Sequence, residues 1–201
     1  MSPDVPQGAD VREAASGHVL FDTALGPCGI AWGPGGIVAV QLPEADAPAT
    51  QARLLRGLAQ GAYPQVLQPA VPSAVVRRAI AGIQGLLAGQ PLDLRELPLD
   101  LSGVSSFHQR VYAIARAIPP GQTLTYGEVA EQLGGKGLSR AVGQALGLNP
   151  FAPVVPCHRV LAAGDQPGGF SAGGGALTKM RMLQIEGACL GGTRSLFGDT
   201  E

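Results

Sequence analysis

The stretch "TYGEVAEQLGGKGLSRAVGQALG", residues 125–147, decides the fold of the second half of this chain. Thr125 and Glu128 stand three apart, the spacing at which a threonine hydroxyl and a glutamate carboxylate satisfy each other's free amides at a helix start. The run closes on Gly134-Gly135, a stop signal for a short helix. After "KGL", Ser139 is placed to cap a second helix, "SRAVGQALG", with Val142, Ala145 and Leu146 as its inner face. Two short helices across a glycine-containing turn have the outline of a helix-turn-helix, with Arg140 near the start of the second. Many proteins that never touch DNA contain such a pair, so the outline alone leaves nucleic-acid binding open.

Upstream, "SFHQRVYAIARAIPPG" spaces Phe107, Val111, Ile114, Ala115 and Ile118 along one helical face and stops at Pro119-Pro120-Gly121. Downstream, "NPFAPVVPCHRVLAAG" is apolar but too interrupted by proline for a helix, and "GGFSAGGG" is a flexible glycine-rich loop. A last helix over "ALTKMRMLQIEGACLGG" puts Ala176, Met180 and Leu183 on one stripe, with Glu186 near its C-terminal end.

In the first half, "HVLFDTALGPCGIAWGPGGIVAVQLP" holds three short apolar runs, near 19–21, 28–32 and 37–42, separated by turn signals. This pattern predicts a small antiparallel meander. Helical spacing follows over about 48–59 and 73–88, the latter with Val75, Ile80, Ile83, Leu86 and Leu87 near one face. The proline-punctuated segment 88–105 reads as a linker, with a boundary near residue 100. The expected organisation is a loose lead-in (1–16), an N-terminal domain with linker (17–100), a C-terminal domain (101–192) and a tail (193–201). The fold class is α/β (α+β).

With 201 residues, 45% of them hydrophobic, the chain can bury a real core. Fourteen basic against fifteen acidic residues leave a net charge of -1, so any DNA binding must rest on a local patch. Cys28, Cys157 and Cys189 are odd in number and without a CxxC pair, which fits neither a disulfide framework nor a zinc ribbon and suits a reduced, cytoplasmic setting. The N-terminal residues lack the pattern of a signal peptide, and no apolar run approaches the length of a membrane span, so a soluble protein without a membrane partner is expected.

Cys28 and Cys189 read as small buried hydrophobes. Cys157 differs: His158 and Arg159 beside it can favour a thiolate, and Pro153 and Pro156 break regular structure around it. At an ordinary thiol pKa only about 3% would be thiolate at neutral pH, so rapid chemistry also needs positioning and leaving-group stabilisation. Neighbouring side chains on an extended strand point to opposite faces, so Cys157 and His158 can cooperate only if the backbone turns there. Neither Cys28, Cys189, His18 nor His108 stands at ligand spacing from this pair, and no metal is expected. No Gly-Lys-Ser/Thr follows the glycine loop and no GxGxxG bridges a strand and a helix, so no nucleotide cofactor is expected either.

Taken in order, "FHQRVY", "IPPGQTLTYGEVA", "SRAVGQALGLNP", "VPCHRV" and "FSAGGGALTKMRMLQIEG", over about 105–188, resemble the O6-alkylguanine-DNA alkyltransferases (methylated-DNA-protein-cysteine methyltransferases). The resemblance implies DNA repair by direct transfer of an alkyl group from guanine O6 to Cys157, which consumes the protein. It implies that His158 reaches Cys157 through a water, that Glu186 orients His158, and that Asn149 holds the turn before the active-site run. Tyr126 is expected to donate to the departing guanine, and Ser171 to touch the same base edge. Val160 and Arg159 join the expected DNA- and base-binding set. Arg140 would enter the duplex where the flipped base had been, its helix lying in the minor groove of double-stranded DNA carrying O6-alkylguanine. The same resemblance implies a ribonuclease H-like N-terminal domain, a winged or helix-turn-helix C-terminal domain, and a monomer.

Two departures stand out. The loop "SAGGGALT" is longer than the family's usual Ser-Gly-Gly form, and Gly147 replaces a residue that is basic in many members, so modest DNA affinity is expected. Competing functions are a lesion sensor that flips alkylated bases without accepting the alkyl group, a cysteine hydrolase built on Cys157 and His158, and a transcription factor using the helix pair. Retention of the cysteine argues against the first, and the sparse base-reading polar residues on "SRAVGQALG" against the last.

Overall fold

The computed structural model describes residues 16–60 and 68–188. The expected lead-in (all but its last residue), the tail and Cys189 lie outside the described residues. Three strands, β1 (Gly17–Thr23), β2 (Gly26–Gly33) and β3 (Gly36–Gln41), form an antiparallel sheet in the order β1-β2-β3. Two helices follow, α1 (Ala47–Ala59) and α2 (Ala74–Leu87). Then come α3 (Ser106–Ala117), β4 (Leu124–Thr125), α4 (Tyr126–Gln132), α5 (Ser139–Gly147), β5 (Val160–Leu161) and α6 (Ala176–Ile185).

The helix starts follow from short polar side chains. Asp46 caps α1 through Ala49 N, Ser73 caps α2 through Val76 N, and Ser105 caps α3 through His108 N. At α4 both halves of the Thr125–Glu128 capping box form. The second member of the pair departs from expectation: a single 3-10 turn, Lys136–Leu138, runs directly into α5, so Ser139 is its first residue. Its hydroxyl donates to Lys136 O instead of capping the helix.

The segment read as a linker is not one in space. Ile37 N donates to Pro98 O and Asp100 N to Ile37 O, seating residues 98–100 along β3 as a parallel bridge. Leu94, Leu97, Leu99 and Leu101 pack on the main core from there. Gly82 and Gly85 of α2 admit this segment, since a β-carbon at either would lie 2.9 Å from Leu94 Cδ2 or 2.6 Å from Leu92 Cδ1. One apolar cluster consequently runs from Cys28, Ile30 and Val40 through Ile83 to Val111, Val142 and Cys157. At roughly 1.5–3 kcal/mol for each fully buried large apolar side chain, it is the main force holding the halves together.

Three helical faces need correction. On α2, Val75 is exposed and Val76 and Ala79 are buried with Ile83, Leu86 and Leu87. On α3, Tyr112 joins Val111 and Ala115 inside, its hydroxyl donating 3.0 Å to Ala145 O and tying α3 to α5. On α6 the buried residues are Lys179, Met182 and Leu183, whereas Ala176 is exposed and Met180 half-buried. The predicted inner face of α5, Val142, Ala145 and Leu146, is buried.

Candidate functional site

Asn149 begins the site. Its side-chain carbonyl accepts from Phe151 N at 2.9 Å and its amide donates to Val155 O at 2.8 Å, spanning the turn between. Pro156, at φ -80 and ψ 67, then tips the chain into a 3-10 turn over Cys157–Arg159. That turn supplies the bend that cooperation between adjacent residues requires. Arg159 N donates to Pro156 O at 2.9 Å, and β5 begins at once beside β4.

All three residues of the turn are buried: Cys157 is 5% exposed, His158 0% and Arg159 5%. Glu186, the C-cap of α6, faces them with a side chain 3% exposed. His158 Nε2 stands 2.8 Å from Glu186 Oε1. Arg159 donates to the same carboxylate with Nε at 2.9 Å and Nη2 at 2.8 Å, and its Nη1 donates to Ile118 O at 2.6 Å. Burial pushes the Glu186 carboxyl up, but the hydrogen bonds and charges of His158 and Arg159 outweigh it and hold the group down at about 2. Burial pushes His158 below its ordinary value, so the ring is neutral. An anionic Glu186 then fixes the tautomer with hydrogen on Nε2, leaving Nδ1 as a lone-pair acceptor. Nδ1 is buried and has no hydrogen-bond partner in the protein.

Cys157 is not the easily ionised thiol that its sequence neighbours suggested. Burial raises its pKa; the Asn149 side chain, the Lys179 charge and the backbone amides of Cys157 and His158 pull the other way. Arg159 gives its charge to Glu186. Lys179 is the residue that sequence reasoning missed: it is 0% exposed, and its ammonium donates 2.6 Å to Val160 O. The same nitrogen lies 5.6 Å from the centre of the Tyr126 ring. Burial brings Lys179 down to about 8, with Cys157 opposing the shift. One signal was available, because Lys179 and Glu186 are seven residues apart and so share a face of α6.

Tyr126, half-buried at the start of α4, completes the cluster; burial and the nearby Cys157 both raise its pKa, so it stays a phenol and a donor. Gly168, at φ +65, lies so near that a β-carbon there would sit 3.1 Å from the Tyr126 hydroxyl. The fold thus brings Cys157, His158, Glu186, Asn149 and Tyr126 together with Arg159 and Lys179. Arg159 is placed as a holder of Glu186, not as a surface contact for a base. Val160 is 0% exposed, and its carbonyl accepts from Lys179. Ser171 lies on the exposed glycine loop, and Arg140 on the exposed face of α5 with Gln144, Gly147 and Leu148.

Among the described residues no three His, Cys, Asp or Glu side chains gather as a metal site would need. No described helix is long and apolar enough to cross a membrane. A cavity of about 530 Å³ lies between β3, α1 and the 147–152 turn; it touches Asn149 and Ser171 but not Cys157. The cluster around Cys157 therefore lies apart from that cavity.

The chain is similar to known proteins both in sequence and in structure. Residues 106–188 match the family described as 6-O-methylguanine DNA methyltransferase, DNA binding domain. A methylated-DNA–protein-cysteine methyltransferase of Methanothermobacter thermautotrophicus is 32% identical over 175 residues, covering 87% of this chain and 85% of its own. A DNA base-flipping protein of Thermus thermophilus is 38% identical over 135 residues, covering 67% of this chain and 87% of its own. The crystal structure of Mycobacterium tuberculosis OGT in complex with DNA aligns with a TM-score of 0.66 at 31% identity, over 85% of this chain and 92% of that one.

Proposed function

Starting from the fact that this chain belongs to the methylated-DNA–protein-cysteine methyltransferase family, we propose that Cys157 is its alkyl acceptor and His158, Glu186, Asn149, Tyr126 and Lys179 the groups that serve it. The protein is a DNA repair methyltransferase that binds DNA and takes the alkyl group onto itself. Its substrate is O6-alkylguanine in double-stranded DNA, approached from the minor groove by α5, and the protein acts as a monomer. The observation that carries the residue assignment is the 3-10 turn at Cys157–Arg159, which sets a buried thiol beside a histidine anchored 2.8 Å from Glu186 with its other nitrogen unpartnered.

An alkyl group on O6 is hidden within stacked DNA, so the nucleotide must leave the stack at a cost of about a few kcal/mol. Arg140, exposed near the start of α5, fills the space vacated, which offsets part of that cost. In the site, Nδ1 of His158 takes the thiol proton through one bridging water, and Glu186 stabilises the imidazolium that results. Lys179 lowers the energy of the thiolate formed. Sulfur then attacks the alkyl carbon, the C–O6 bond breaks, and its electron pair goes to the guanine oxygen. Tyr126 donates a hydrogen bond to the departing base, and the proton lost by sulfur is returned to the base's Watson–Crick edge. The products are S-alkylcysteine and unmodified guanine. No group regenerates the thiol, so turnover is single.

The test is the mass of the intact protein and of its peptides after incubation with duplex DNA carrying one O6-methylguanine. A stoichiometric gain of one methylene on the peptide containing Cys157 is expected, and Cys157→Ala should lose transfer while keeping lesion binding. Transfer persisting in Cys157→Ala would refute the acceptor. Tight selective binding without any gain by the unsubstituted chain would make it a base-flipping sensor instead.

A further inference from the structure

The glycine loop that follows the active-site run is fastened to the first half of the chain by a side chain of α1. Arg53 of α1 donates through Nη2 to Ser171 O at 2.5 Å. Its Nε pairs with Glu44 Oε1 at 3.1 Å. Glu44 is itself fixed: its amide donates 2.9 Å to the hydroxyl of fully buried Thr50, and its carboxylate accepts from Gln41 Nε2 at 3.3 Å. Two residues beyond Ser171 the loop rests on the same support. A β-carbon at Gly173 would lie 2.6 Å from Pro43 O and 3.0 Å from Glu44 Oε2, and Gly173 O accepts from Thr178 Oγ1 at 2.5 Å. The opposite end of the loop touches the site, where Gly168 abuts Tyr126.

The loop is therefore pinned between Tyr126 on one side and the Glu44–Arg53 pair on the other. Loop glycines resist disorder poorly by themselves, because each has more backbone freedom to lose than any other residue. A guanidinium already held by a carboxylate is a prearranged donor for a carbonyl. We infer that Arg53 is a positioning residue for alkyl transfer: it holds the Ser171–Gly173 segment so that the loop closes beside Tyr126 over the bound base. The inference rests on the alkyl-transfer function proposed above, and it gives the longer glycine loop a seat on the N-terminal half.

Three reactions of the full chain separate this role from others: transfer from O6-methylguanine in duplex DNA, transfer from free O6-benzylguanine, and carboxamidomethylation of Cys157 by iodoacetamide, each read as peptide mass. Arg53→Ala should slow both alkylguanine reactions about three- to tenfold, the effect of losing one charge-assisted hydrogen bond at a half-exposed site. Iodoacetamide labelling should be unchanged, because the thiol is untouched. Gly173→Ala should act in the same direction by crowding Pro43, the double variant should be no slower than the slower single one, and Arg53→Lys should recover part of the rate. A loss confined to duplex DNA, with a flatter salt dependence, would make Arg53 a phosphate contact and overturn the inference. Equal slowing of all three reactions, or no slowing at all, would overturn it too. Absence of transfer by the unsubstituted chain would instead remove the parent function, and the inference with it.

Discussion

Replacing Lys179 by methionine should make the protein more stable and less reactive at the same time. The side chain is fully buried and its pKa is brought from 10.5 to about 8. Below pH 8 the folded state holds an ammonium that burial disfavours; the shift corresponds to about 3 kcal/mol of lost stability. Methionine matches the stem in length, and the forfeited charge-assisted bond to Val160 O costs about 2 kcal/mol. The net expectation at pH 7 is a gain of about 1 kcal/mol. The sign follows from linkage: between about 8 and 10.5 the unfolded chain binds more protons at this site, so the wild-type side chain becomes less costly as pH rises. Above that window the amine is neutral in both states and the advantage of methionine disappears. Urea denaturation of Lys179→Met and its parent at pH 7 and near pH 10.5, both in a Cys157→Ala background to remove the coupled thiol, measures this directly. With Cys157 restored, transfer at pH 7 should fall about tenfold, since the Lys179 charge works against the effect of burial on the Cys157 thiol and a nearby opposite charge lowers a pKa by roughly one to three units. A less stable variant at pH 7, or a stability difference that ignores pH, would refute the reasoning.

Three further outcomes are expected. Glu186→Gln leaves Arg159 buried without its anion and should cost about 3–5 kcal/mol in urea denaturation while slowing transfer; in the parent protein, stability should be lost as pH falls from about 4.5 towards 2, because the folded Glu186 pKa is depressed to about 2. Arg140→Ala should slow repair of duplex DNA more than reaction with free O6-benzylguanine, and equal losses would count against its entry into the helix. A β-carbon at Gly147 meets nothing within 4 Å on the exposed face shared with Arg140 and Gln144, so Gly147→Arg should tighten DNA binding and steepen its logarithmic salt dependence by about one phosphate contact; unchanged affinity in a salt titration would show that this face does not meet the backbone.

What was legible in the sequence is what local chemistry dictates. The Thr125–Glu128 box needs only four consecutive residues, and both its bonds form. The strand meander needs only short apolar runs and glycine turns. What stayed hidden depends on long-range partners. Prolines at 91 and 98 made residues 88–105 look like a tether, yet Leu92, Leu94, Leu97, Leu99 and Leu101 recur almost every second residue, as they would beside a strand; only the open edge of β3 converts that pattern into a seat. The site divides similarly. The pairing of Cys157 with His158 is written in the sequence, but its electrostatics are not, because adjacency suggested that Arg159 serves the thiol and the fold gives Arg159 to Glu186. That exchange makes the buried lysine intelligible. With Arg159 spent on keeping Glu186 anionic, Lys179 on the same face of α6 is left as the cation that opposes the effect of burial on Cys157. A lysine in a helix is ordinarily assigned to solvent, so its function becomes visible only when the carbonyl of Val160 and the ring of Tyr126 are found around it.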